Sequence, residues 1–501
     1  MKAIMIQGTA SDVGKSVLCT ALCRILANDG YRIAPFKSQN MALNSYVTQD
    51  GGEIGRAQGV QAEAAKISAT TDMNPILLKP TGNMVSEVIL HGKPFAHMDA
   101  VSYRENFVEQ VMPEVRKSLR RLEAQYDVLI LEGAGSPAEI NLKRRDIANM
   151  RMAHETDAAV ILVADIERGG VFASIVGTLM LLDDEERARV KGIVINKFRG
   201  MKELLDSGID WLEEYTGIQV LGVIPYFDVQ IEAEDSMALS SLRLKKPQHQ
   251  EFDIDVAVIR FPLISNFTDL DPLFEEPGVG VRFVSSAKDL KNPDVIILPG
   301  TKNTIEDYRW LQESGLAQAI LQQSQKGKKI VGICGGYQML GGSIIDKRMP
   351  ENKSAVYSAL DILPIETVLA NENEITQIKG TNYAGQEMNG FVLHLGRSTP
   401  FQPVRSFICM EDGSQDGVYT EQVIGTYLHG VFQNRPFTRM YFNQIRAAKG
   451  LAEVTGDIHS DDERREQAYE MLDYHVRKHL DMNKIYELLG ASKQQNDDRK
   501  H

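Results

Sequence analysis

Only four cysteines occur in 501 residues: Cys19, Cys23, Cys334 and Cys409. They form no CxxC pair and no dense framework, which excludes a disulfide scaffold or a structural zinc site and predicts a reducing cytoplasm. Long hydrophobic runs are also missing. The longest, Val171 to Leu182, falls well short of the roughly 20 residues of a membrane span. It predicts a buried helix capped by the acidic stretch Asp183 to Glu186. Positive charge is scarce, with 55 Lys and Arg against 68 Asp and Glu. This excludes a general binder of nucleic acid or anionic membrane, and an anionic substrate would need a local basic patch. No internal repeat occurs. The opening MKAIMIQGTA runs straight into a glycine loop and leaves no room for a signal peptide.

What is present is a repeated alternation of short β-branched runs with longer helical patterns, the mark of an α/β fold. The length predicts more than one core. Residues 1–235 predict a doubly wound sheet with strands Ala3–Gln7, Arg32–Phe36, Val128–Glu132, Ala159–Ala164, Gly192–Asn196 and Val220–Ile224. A polar stretch over 236–252 reads as a linker. Residues 253–445 predict a second α/β domain with strands Ile254–Arg260, Asp294–Leu298, Lys329–Ile333 and Val423–Tyr427. Residues 446–501 predict a charged helical segment and a polar tail. Ligands of such sheets collect beyond the strand C-termini.

The first of those ends carries Gly8-Thr9-Ala-Ser-Asp-Val-Gly14-Lys15-Ser16. Between a strand and a helix, this glycine loop would cradle phosphate with backbone N–H groups, set Lys15 on the β- and γ-phosphates, and put the Ser16 hydroxyl on Mg²⁺. It has one residue more than the ordinary spacing, and so resembles dethiobiotin synthetase and its relatives, which use ATP to phosphorylate a carboxylate. That resemblance implies that Glu132 of Glu132-Gly-Ala-Gly135 holds Mg²⁺, that Asn196 reads adenine, and that Lys37 steadies the transferring phosphoryl group. From residue type alone, Asn196 could equally end a strand and Lys37 could be a surface lysine.

A second site is written in Lys329-Ile-Val-Gly-Ile-Cys334-Gly335-Gly-Tyr-Gln-Met-Leu. A buried strand, a cysteine, two glycines and a helix make a nucleophile elbow, with the sulfur near a helix N-terminus that favours thiolate. The Gly335 N–H would face an oxyanion, and Gly300 in Pro299-Gly300-Thr301 supplies a candidate second donor. His429 in Gly425-Thr-Tyr-Leu-His429-Gly430 is the candidate base. The pair resembles class I glutamine amidotransferases. Most of these carry His-x-Glu, whereas this chain has His429-Gly430-Val431. A backbone carbonyl or water is then the candidate for orienting His429.

Lys37-Ser-Gln-Asn-Met-Ala-Leu-Asn44-Ser45, Gly51-Gly-Glu-Ile-Gly-Arg56-Ala-Gln58, Glu132-Gly-Ala-Gly-Ser-Pro-Ala-Glu-Ile-Asn141, Ala164-Asp-Ile-Glu-Arg168-Gly-Gly-Val-Phe172 and Gly390-Phe-Val-Leu-His394-Leu-Gly396 together resemble the cobyric acid synthase family. Val392 stands where that family usually has glutamate. The resemblance implies ATP- and glutamine-dependent amidation of the b, d, e and g carboxylates of adenosylcobyrinic acid a,c-diamide, through acyl phosphates. ATP, Mg²⁺, glutamine and the corrinoid are its small-molecule partners, the corrinoid as substrate, with no tightly bound organic cofactor. Asn44, Arg56, Lys143, Arg144, Arg145 and Arg168 are candidate substrate contacts. Asp50 and Glu53 are candidate further Mg²⁺ ligands. Two alternatives stay open: the sibling that amidates the a and c carboxylates, against which the KSQNMALNS stretch argues, and a partitioning-type ATPase switch with an inactive glutaminase-like module, against which Cys334 and His429 argue.

Overall fold

The computed structural model describes residues 2–82, 85–99, 102–103, 107–227, 252–348, 354–456 and 460–490. The expected linker therefore lies outside the described residues except for Phe252.

Strands such as Val128–Glu132 are buried at every position, so both faces must be covered, and a parallel sheet with flanking helices does this. The first sheet runs Val220–Pro225, Val190–Phe198, Ala159–Asp165, Lys2–Gly8, Val128–Glu132, Ile33–Phe36, all parallel. Ile6 pairs with Glu132 and Asp165 with Asn196, so the glycine loop, Glu132 and Asn196 emerge at one edge. The second sheet runs Val279–Val284, Ile254–Ile259, Val295–Leu298, Lys329–Ile333, Val423–Thr426, Val418–Tyr419, with only the last strand antiparallel. Ile333 pairs with Thr426, which brings Cys334 and His429 to the same end. Every expected strand is present.

Two mixed sheets, mostly antiparallel, lie beyond what periodicity foretold. A long hairpin, Ile365–Asn382 with Glu387–Pro400, anchors one beside the second core. The other, Gln39–Met41, Ile76–Gly82, Val85–Leu90, Lys93–Asp99, grows from the loop after the second strand.

The helix Val171–Leu181 buries only one face, through Val171, Ile175, Thr178 and Leu179; Met180 and Leu181 are exposed. The acidic stretch after it does not cap it but opens its own helix, with Asp183 and Glu186 forming a capping box. No helix among the described residues is long and apolar enough to cross a membrane.

The C-terminal helix Asp461–His479 returns to the first unit. Its capping box, Ser460 with Glu463, starts it firmly, and Leu472 and Val476 pack in one cluster with Leu22 and Ile25 of the helix Lys15–Asn28. The fully buried guanidinium of Arg24 bonds to Glu466 and Glu470 of the returning helix. Beyond it, the Asp481 N–H donates to Leu221 O at 2.7 Å, tying the segment to the edge strand of the first sheet.

Candidate active sites

Around the glycine loop, Lys15 donates to the carbonyls of Ala10 (2.9 Å) and Gly135 (3.1 Å). Gly14 has φ +99°, a left-handed backbone that favours glycine, and a Cβ there would overlap the Asn196 amide. The Asn196 side chain donates to Val13 O at 2.8 Å, so the loop is clamped by the residue expected to read adenine. Thr9 is a correction: its N–H donates to Val163 O at 2.9 Å, extending the sheet rather than facing phosphate.

Glu132 is 2% exposed. It accepts from Ser16 Oγ (2.9 Å), Lys37 Nζ (2.8 Å) and Gln61 Nε2 (2.5 Å). Burial pushes its carboxyl up, but Lys37, Gln61 and Lys15 outweigh this and hold it below the ordinary glutamate range. Lys37 is thus no surface lysine. Two oxygen donors 2.9 Å apart, Ser16 Oγ and Glu132, fit Mg²⁺, which usually takes one or two protein ligands and completes its shell with phosphates and water. Asp50 and Glu53 do not join them. Asp50 accepts from Thr48, and Glu53 pairs with Lys79 on the side facing the second unit.

A cavity of about 180 Å³ beside the loop is lined by Val17, Asn196, Pro225 and Phe227, and by Leu472, His475 and Val476 of the C-terminal helix. His475 stacks on Phe227 with centroids 4.5 Å apart. A larger cavity of about 310 Å³ lies between Gly135–Ser136, the turn around Lys143 and Arg145, and the mixed sheet through Leu78 and Val88.

The expected substrate contacts divide. Lys143 and Arg145 reach the larger cavity, Lys143 also pairing with Glu186 at 2.5 Å. The side chain of Arg144 lies outside the described residues. Arg168 is exposed next to Asp12 (3.8 Å), by the glycine loop rather than the cavity. Two are corrections. Arg56 is buried over the Tyr46 ring at 5.3 Å. Asn44 is fully buried between the two units and accepts from the Phe267 N–H at 3.2 Å.

In the second unit Cys334 is buried and has φ +53°, the strained backbone of a nucleophile elbow. Its N–H is fixed on Thr426 O at 2.8 Å. Gly336 is required by close approach, since a Cβ would strike the Leu298 carbonyl. A Cβ at Gly335 would press on Thr301 and one at Gly300 on the His429 ring, so both candidate oxyanion glycines lie against the site. His429 is fully buried. Its Nδ1 meets Asp269 Oδ2 at 2.7 Å, and the other Asp269 oxygen accepts the Gly430 N–H at 2.8 Å. The expected backbone carbonyl or water is therefore replaced by a carboxylate, supplied from Phe267–Phe274 rather than from the position two after the histidine. Burial alone would push His429 down, but Asp269, with a smaller contribution from Cys334, lifts it to about 10. The Asn266 amide nitrogen lies 3.3 Å from His429 Nε2.

The pocket over Cys334 is also lined by Gln338 and His394; neither shows a site role in the sequence, although His394 stands in one of the family-like motifs. Gln338 donates to Leu395 O at 3.0 Å. Burial pushes His394 down to about 4, and its ring stacks on Tyr427 at 3.6 Å. Val392, in place of the usual glutamate, is simply buried.

This pairing of an ATP-type glycine loop with a cysteine elbow defines a glutamine-hydrolysing, ATP-dependent amide ligase. Residues 255–437 match the model of a CobB/CobQ-like glutamine amidotransferase domain. Residues 4–239 match that of a CobQ/CobB/MinD/ParA nucleotide binding domain. The chain is 50% identical over 491 residues to a cobyric acid synthase of Geobacillus sp. (strain WCH70), covering 97% of each. It is 50% identical over 488 residues to that of Anoxybacillus flavithermus, covering 96% of each, and 44% identical over 501 residues to that of Listeria monocytogenes, covering 98% of each. The chain belongs to the cobyric acid synthase family, whose place is cobalamin biosynthesis.

Proposed function

We propose that the protein amidates the b, d, e and g carboxylates of adenosylcobyrinic acid a,c-diamide, with each acid activated at the glycine loop and each nitrogen released at Cys334. The division of labour follows domain bounds of 1–235 and 253–445, with the helix Asp461–His479 of the segment from 446 serving the first. In the second unit, Cys334 Sγ attacks the glutamine amide carbon. The C–N bond breaks, and imidazolium His429, steadied by Asp269, gives a proton to the departing ammonia. Gly335, with the Gly300 loop, faces the oxyanion. Water then splits the thioester and releases glutamate. An unpaired Cys334 thiol suits a reducing cytoplasm.

In the first unit, a corrinoid carboxylate oxygen attacks the γ-phosphorus of ATP and ADP leaves. Lys15 and Lys37 hold the charge on the transferring group. Ser16 and Glu132 are the residues that would hold Mg²⁺, which supplies further charge neutralisation when bound. Asn196 and the wall formed by the C-terminal helix receive the base. Ammonia attacks the acyl phosphate, and phosphate leaves as the amide forms.

The observation that carries this reading is the double use of Gly135. Its carbonyl accepts from Lys15, and the same residue lines the larger cavity, so an acid bound there lies beside the phosphate loop. The cavity suits one carboxylate arm of a large ring held outside it, which fits a substrate presenting several such arms in turn. Mass spectrometry of corrinoid products after incubation with ATP, Mg²⁺ and glutamine tests it. Fourfold amidation of the a,c-diamide is expected, and amidation of cobyrinic acid only at a and c would overturn the reading.

A further inference from the structure

The mixed sheet of the first unit has two unlike faces, because side chains alternate along a strand. Leu78, Ser86 and Val88 line the larger cavity. Their neighbours Lys79 and Glu87, paired across the strands, point the other way. Lys79 joins Glu53, and both line the pocket that holds Cys334. Glu87 joins Lys302 of the second unit, which lines that pocket too. Lys79 also donates to Ser45 Oγ at 2.9 Å. Glu53, Lys79 and Glu87 are 1%, 3% and 5% exposed, so three charges are buried, with a half-buried fourth, Lys302, beside them, where the glutaminase pocket meets the first unit. Two adjacent residues of one strand, Leu78 and Lys79, thus face the two chemistries.

Resting on the two-site reading above, we propose that this sheet is the wall between the glutaminase pocket and the acceptor cavity, and that the Glu53–Lys79 and Glu87–Lys302 pairs are the gate through which ammonia crosses it. Neutral ammonia brings one acceptor and three donors, so it can replace Ser45 as the acceptor from Lys79 and donate to Glu53 or Glu87. An ammonium ion would have to displace a lysine already paired, and a further buried cation is costly. The cluster is already crowded with positive charge. Burial and the nearby Lys79 push Lys302 below the ordinary lysine range, against the pull of Glu87 and Glu53. Paired charges also close the wall to bulk water, which would protonate the ammonia.

The test removes charge in pairs, because stripping one partner strands the other. The full chain carrying Lys79→Met with Glu53→Gln, or Lys302→Met with Glu87→Gln, is given ATP, Mg²⁺, glutamine and the a,c-diamide. The readout is amide formed per glutamate released, a ratio indifferent to how fast glutamine is hydrolysed. An ammonia-consuming reporter enzyme detects escape. The wild-type ratio is expected near unity, and the variants' ratio at least about threefold lower, with synthesis from added ammonia retained within about twofold. Ser45→Ala, which removes only a neutral partner of Lys79, is read in the same way if a double variant does not fold. An unchanged ratio in these variants overturns the gate. So does a loss of ammonia-supported synthesis in step with the ratio, since that marks an interdomain clamp. A wild-type protein that makes no amide from either nitrogen source would instead fell the two-site reading, and the gate with it.

Discussion

Glu132 and Asp269 are both buried carboxylates facing a cationic nitrogen, one in each unit, yet they are built in opposite ways. Glu132 closes an apolar strand and collects three donors, Ser16, Lys37 and Gln61, from three other segments. Its charge is shared, and each donor is an ordinary neighbour within one unit. Asp269 sits in a short irregular helix and gives one oxygen to His429 and the other to the Gly430 backbone. It fixes a single side chain, the imidazole, and the backbone beside it. A carboxylate that serves a metal and phosphates gains from several partners that can yield to a ligand. A carboxylate that serves a base gains from one it never releases.

That contrast breaks most sharply at the two reaction centres. Cys334→Ser is expected to lower glutamine hydrolysis by about 10⁴-fold or more while ammonia-supported synthesis survives, as residues acting as a unit lose activity together. Lys15→Ala is expected to abolish synthesis from either nitrogen source. Assays of glutamate release and amide formation, run with each donor, check both. Equal losses in all assays from Cys334→Ser would merge the two sites into one.

Asp269→Asn sharpens the comparison. Glutaminase kcat should fall by roughly 10² to 10⁴, the scale of losing the acid that orients a catalytic histidine, with ammonia-supported synthesis unchanged. Asp269 raises His429 to about 10 against burial. In the variant burial prevails, so the limb of the pH profile set by His429 moves to lower pH. Stability follows the same sign. The ion pair's contribution is fully present below the unfolded value of 6.5 and is lost as pH rises through about 10. The gap between wild type and variant in denaturation midpoint should therefore close at high pH. At the other carboxylate, Lys37→Met should reduce synthesis by about 10²-fold and leave glutamate release intact, which a kinetic comparison of the two half-reactions measures.

The parallel sheets were legible because strands buried on both faces are unbroken apolar runs, and because the glycine loop and the cysteine elbow are local patterns. Asp269 was not. It reaches His429 across 160 positions, from a segment whose Phe-Thr-Asp-Leu-Asp-Pro has no fixed spacing to the histidine. The mixed sheet bearing Lys79 and Glu87 was hidden for a similar reason. Its strands carry buried charge at Lys79 and Glu87, which breaks the alternation that periodicity detects. Asn44 and Arg56 were legible as residues that matter but not as to where they act. Their types suggest ligand contacts, while their places lie in the packing between and beneath the units.

The C-terminal helix shows the same limit and gives the smallest effect. Its charged pattern reads as a solvated helix, and only the fold reveals that Leu472 and Val476 both belong to the core and wall the cavity beside Asn196. Trimming Leu472 to alanine removes apolar contact from one side of that cavity. The expected change is a rise in KM for ATP of about tenfold, since methylene-scale losses in an apolar pocket are worth 1–3 kcal/mol, together with a stability loss of about 2–5 kcal/mol. Glutamate release measured without ATP should not follow KM, because the helix borders the glycine loop and not the Cys334 pocket. Arg24 of the helix Lys15–Asn28 anchors it through Glu466 and Glu470. If KM for ATP stays fixed while stability falls, the helix only buttresses the first sheet and the base lies elsewhere; if both move, a segment more than 400 residues from the glycine loop is part of the nucleotide site.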